Sequence, residues 1–113
     1  MNLQFPFDDR DPNRTFRKCR LVGLPHDLPP QAWDMLEGFV KPRINYEAAQ
    51  AAGLLEHPCP WRYATDWEAD GSIERTGVRR RSPKSGRSNR YQFEKVLTAR
   101  GRKILAWRAQ HGT

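Results

Sequence analysis

The chain has 113 residues, 37% hydrophobic and 29% charged, with four Trp, five Phe and three Tyr. That suits one domain with a small core and leaves no room for two, since domains typically run to roughly 100 to 200 residues. The formal charge is +7, no apolar run approaches the roughly 18 residues of a membrane span, and two cysteines are too few for a disulfide scaffold.

Residues 1–28 are expected to form an extended, proline-rich amino-terminal arm, because Pro6, Pro12 and Pro25 interrupt it and NLQFPFDDRDPN sustains neither a helical nor a strand period. The opening MNLQFPFDDRD carries neither a basic leader nor an apolar stretch, which predicts a cytoplasmic protein with Cys19 and Cys59 as reduced thiols. Within the arm, RTFRKCRLV over 14–22 alternates loosely and reads either as a strand or as a basic arm.

Residues 29–113 are expected to fold as one domain. Pro29 and Pro30 suit the first turn of a helix over about 29–40, where Trp33, Leu36, Phe39 and Val40 recur at helical spacing until Pro42 stops it. Asn45 is a candidate cap for a second helix running through Tyr46 and four alanines to Gly53. After HPCP, Trp61, Ala64 and Trp67 repeat the helical pattern, with Gly71 as its C-cap. The period then changes: 72–81 is extended, 82–89 is a polar tip, and 90–98 alternates with Tyr91, Phe93 and Leu97 on one side. Thr98 caps a last helix from residue 99, with Ile104 and Leu105 on its stripe.

The fold class this predicts is α+β: three helices, a two-stranded β-wing and a C-terminal helix. Trp67, Ile73, Leu97 and Ile104 are expected to pack together, and Trp33, Phe93 and Trp107 are read as core. Trp61, just after Pro60, is read as exposed enough to meet a partner.

Charge is distributed unevenly. Residues 1–74 hold eight basic and twelve acidic side chains, whereas residues 75–113 hold twelve basic ones against Glu94 alone. Such a segment attracts polyanions, because each neutralised phosphate releases condensed counterions. Arg79, Arg80, Arg81, Lys84, Arg87 and Arg90 flank or occupy the wing tip. There they are placed to track a phosphate backbone or enter a narrow minor groove, some contacting phosphate and the rest simply solvated.

Other chemistries are poorly supplied. His57 and Cys59 stand one residue apart, but no paired Cys-x-x-Cys or His-x-x-x-His spacing supports zinc. Asp8, Asp9 and Asp11 read as a solvated cluster, and there is no Gly-rich phosphate loop or Ser-centred elbow. The expectation is a protein without enzymatic activity and without a cofactor.

Two passages carry a resemblance. Trp67-Glu68-Ala69-Asp70-Gly71-Ser72-Ile73-Glu74-Arg75 is similar to the stretch "leucine-glutamate-x-x-glycine-leucine-isoleucine-x-arginine" that leads from recognition helix to first wing strand in winged helix-turn-helix DNA-binding domains. Trp67 takes the place of its first leucine. The run VLTARGRKIL, ending at Leu105, resembles that family's "leucine-threonine-x-x-glycine-arginine-x-x-leucine" at the entry to the closing helix. Over about residues 31–108 the chain thus resembles the bacterial MarR-like and PadR-like regulators.

The resemblance implies binding of double-stranded DNA by the third helix and the wing, sequence-specific or architectural, in a small transcriptional or replication regulator; the small size and arginine content suit a phage or mobile-element gene. Trp61, Arg62 and Thr65 are then the groove-facing residues, since Asp66, Glu68 and Asp70 would repel phosphates they faced. A homodimer is a further expectation. The alternative is a protein-interaction module, such as a phage-encoded inhibitor, of anti-CRISPR type, of a host nucleic-acid-binding complex, because fold does not decide function.

Overall fold

Proline at a first helical position forfeits no hydrogen bond, and helix α1 (Pro30–Glu37) begins that way, with Pro29 extended at its N-cap. The computed structural model describes residues 7, 9, 28–57, 60–83 and 91–111. Among them follow α2 (Asn45–Ala52), α3 (Pro60–Asp70), β1 (Ile73–Arg81), β2 (Tyr91–Leu97) and α4 (Ala99–His111). The architecture is α+β, four helices with a two-stranded antiparallel sheet. No helix among these residues is long and apolar enough to cross a membrane.

Helix α1 ends earlier than its apolar period suggests. Phe39 and Val40 donate their backbone N–H groups to Leu36 and Glu37, at 3.0 and 3.2 Å, in tight turns. These turns bury Phe39 and leave Val40 53% exposed. Gly38 is required there, since a Cβ would lie 2.8 Å from the Ala48 carbonyl oxygen of α2. The cap of α2 is Ile44, one residue before the expected Asn45, and its N–H donates to the Glu47 carboxylate at 3.2 Å. Gly53, at φ 73°, closes that helix in the left-handed conformation.

The ribbon has an irregular register. Ile73 pairs with Leu97 and Arg75 with Lys95, but the next pair is Arg79 with Phe93, so Thr76, Gly77 and Val78 stand opposite Glu94 alone. Gly77, at φ 95°, supplies the left-handed residue that such a bulge accommodates. On its other edge β2 meets Arg43, which exchanges backbone hydrogen bonds with Lys95 at 3.0 and 2.8 Å. This third strand position between α1 and α2 has no periodic trace in the sequence.

The passages 67–75 and 91–105 meet in space. Thr98 donates its hydroxyl to the Gly71 carbonyl at 2.6 Å and accepts the Gly101 N–H at 3.1 Å, capping α4 as expected. Its backbone N–H reaches the Ser72 carbonyl at 3.0 Å. A Cβ on Gly101 would lie 2.1 Å from that same oxygen, so only glycine admits the approach.

Trp67, Ile73, Leu97 and Ile104 lie in one buried cluster with Trp33, Leu36 and Phe39, as expected. Trp67 donates its indole N–H to the Ala32 carbonyl at 2.8 Å, and its ring centroid is 5.6 Å from that of Trp33. One aromatic expectation needs correction. Phe93 is 37% exposed, because the ribbon carries it beyond the helices that cover Leu97. Trp107 packs against the core as expected, though half-buried, and Trp61 is half-buried against the same core.

Three residues of the arm are described: Leu28 packs against the core, and Phe7 and Asp9 sit on α4. Phe7 lies near Arg100, whose guanidinium carbon is 5.5 Å from the ring centroid. Asp9 accepts hydrogen bonds from Lys103 at 2.8 Å and Arg100 at 3.3 Å. Asp9 is therefore a docked carboxylate, not a member of a solvated cluster, and the Lys103 bond leads in holding its pKa below the ordinary carboxylate value. The rest of the arm, including 14–22 and Cys19, lies outside the described residues, as does Cys59.

Candidate nucleic-acid interface

Helix α3 carries three acidic side chains beyond Thr65, and much of that charge is neutralised within the protein. Asp70 at the end of α3 is fully buried, accepting hydrogen bonds from Ser72 at 2.6 Å and from Arg100 at 2.9 and 3.3 Å. Glu68 faces the base of the wing, where Arg75 (2.9 Å) and the buried Lys95 (3.1 Å) neutralise it. Asp66 is half-buried. What remains exposed on the helix's polar side includes Arg62 and Thr65, three residues apart and hence neighbours on one stripe. The Thr65 hydroxyl donates to the Trp61 carbonyl at 3.1 Å, so toward a partner it is an acceptor.

That stripe leads on to Glu68, one turn further, and so to Arg75 and Lys95. Cross-strand partners share a face, which places Arg75, Arg79 and Arg81 together with Tyr91, Phe93 and Lys95 on one side of the ribbon. The Arg75 guanidinium carbon lies 4.0 Å from the Phe93 centroid, and that of Arg79 lies 5.4 Å from Phe93 and 5.7 Å from Tyr91. These are cation–π distances. Arg79 and Arg81 are exposed, as are both rings.

The opposite face belongs to α2. Gln92 accepts the Tyr46 N–H at 3.0 Å. Arg80 grips Glu47 with both terminal nitrogens, one bond being 3.0 Å, and its Nε lies 3.1 Å from Glu94. The Arg80 hydrogen bonds lead in holding the Glu47 carboxyl below its ordinary pKa, while the same bonds raise that of Arg80. An open cleft lined by Lys41, Arg43, Glu47 and Arg80 lies on this side.

The residues expected to meet DNA thus separate. Arg62, Thr65, Arg79 and Arg81 lie exposed along the path from α3 to the outer ribbon face, and Trp61 stands half-buried at its start. Arg80 is engaged internally with two carboxylates. Lys84, Arg87 and Arg90 lie outside the described residues. Arg75, Tyr91 and Phe93 join the surface although none was anticipated there. The period of two sets 91 and 93 on the face of 95, but their exposure depends on how far the helices reach over that face, which no local signal records. Among the described residues no group of three His, Cys, Asp or Glu side chains is assembled to hold a metal. No known protein family, curated protein or solved structure matches this chain.

Proposed function

We propose that the chain binds double-stranded DNA in the manner of a winged helix-turn-helix domain, with α3 set toward the major groove and the outer ribbon face along the backbone. The order of elements supports this reading: helix, strand position at Arg43, two helices, ribbon and closing helix. The observation that carries it is the disposal of acid. Asp70 and Glu68 are paired with Arg100, Arg75 and Lys95, and Arg62, Thr65, Arg79 and Arg81 stand exposed on the same stretch of surface. Phosphate contacts by Arg79 and Arg81 position the protein, whereas Arg62 supplies the fork that reads a guanine edge. The role this implies is a small regulator of transcription or replication.

The test is a titration of random-sequence and selected duplexes over a range of salt concentrations. Duplex affinity should fall linearly in log–log form, with a slope of about −0.9 per phosphate contacted. Selection from random DNA should return a motif. Absence of duplex binding, with co-purification of a host protein, would transfer the surface to a protein partner.

A further inference from the structure

The outer ribbon face carries more than a phosphate-binding strip requires. A duplex presents its backbone to arginines, but its base faces are stacked away, so exposed rings add nothing to that contact. Here Tyr91 is 55% exposed and Phe93 37% exposed, two residues apart on one strand and on one face. Arg75 lies against Phe93, Arg79 stands near both rings, and Arg81 is paired with Tyr91. The ribbon's acids are held elsewhere: Glu94 faces Arg80 and Thr76 on the opposite side, and Glu74 shares that side as the partner of Val96. The outer face therefore joins apolar rings to cations. A ligand that is both flat and polyanionic suits it, and an unpaired stretch of nucleic acid offers flat bases and phosphates together.

From this we infer that the outer ribbon face is a stacking platform for unpaired bases, and that the preferred substrate is a duplex joined to a short single-stranded stretch. Tyr91 and Phe93 take the bases, while Arg79 and Arg81 hold the phosphates at the junction where the duplex backbone passes into the single strand. Tyr91, the less covered ring, receives the first base. This deepens the duplex-binding reading and rests on it for the double-stranded part of the site.

The experiment compares a blunt 20-base-pair duplex, the same duplex with a six-nucleotide extension, and the extension strand alone, with 2-aminopurine placed in the extension. The intact protein should bind the extended duplex more tightly than the blunt one by about 5- to 150-fold, the range expected for one stacked base, and should quench the 2-aminopurine. Tyr91→Ala and Phe93→Leu should each erase most of that gain and the quenching, while blunt-duplex affinity falls by less than the extended duplex loses. Tyr91→Trp should keep both. Both positions are exposed, and unchanged circular dichroism melts confirm that the variants fold. An extension that brings no gain, or a Tyr91→Ala loss equal for blunt and extended duplexes, would overturn the platform. Binding of the single strand in a Tyr91-dependent way without blunt-duplex binding would keep the platform and remove the duplex reading; blunt-duplex binding with no gain from the extension, in the parent and in both ring variants alike, would do the reverse.

Discussion

Three consecutive arginines on β1 live in two environments. Arg80 lies against α2, bound to Glu47 and near Glu94, while Arg79 and Arg81 on either side of it look outward over Phe93 and Tyr91. The same contrast separates Arg100, buried against Asp70, from Arg62, exposed on α3. Composition treats these cations as equivalent, but only the outward set can exchange water for phosphate without first breaking an ion pair. A basic count thus overstates a binding surface by the number of cations already paired inside.

The largest expected effect breaks the inward set. Arg100→Ala leaves the Asp70 carboxylate buried without its cation, and should lower stability by about 3–5 kcal/mol in a denaturant melt. Arg79→Ala should stay within about 0.5 kcal/mol of the parent in the same melt. Equal losses would show that the division into inward and outward cations is not energetic.

On the outward side, Arg62→Ala should relax base preference at one or two positions by about 1–3 kcal/mol of discrimination, with the salt slope unaltered. Sequence selection with the variant reads this directly. If the variant retains the parent's motif, Arg62 does not read bases. Joint replacement of Arg79 and Arg81 by Ala should instead weaken all duplexes alike and flatten the salt slope by about 0.9 for each phosphate contact removed. Arg80→Ala serves as the contrast, since it should leave that slope unchanged.

The smallest effect concerns Glu47. Its carboxyl pKa is lowered by Arg80 in the folded protein, so the pair's stabilisation is present above the ordinary carboxyl value of about 4.3. It is lost as pH falls through the folded value. Both side chains are more than a third exposed (36% and 37%), so the contribution should be at most about 1 kcal/mol. Parent and Glu47→Gln melts should differ at pH 7 and converge in acid. A difference that grows on acidification would show that Glu47 acts otherwise.

Much of the fold was legible because its punctuation is local. Gly71, Thr98 and Gly101 each occupy a position whose backbone geometry or cap demands that residue, and such demands survive in a bare sequence. The Arg43 strand position did not, because a single bridging residue has no period. Burial along a strand was legible only in part: alternation sets Tyr91, Phe93 and Leu97 on one face, but how far the helices extend over that face is a tertiary fact. The site divided in the same way. Arg62 and Thr65 followed from helical spacing, whereas the internal engagement of Arg80 depended on α2 lying beneath the ribbon.

The bulge opposite Glu94 governs this division by parity. It adds two residues to β1, an even number, so the alternation of sides resumes beyond it in step with β2. An odd insertion would reverse the sense of every later side chain, turning Arg80 outward and Arg79 and Arg81 toward Glu47. Removing one residue between Arg75 and Arg79 should therefore exchange the two sets of arginines without changing a single charge, and removing two should restore them on a straighter ribbon.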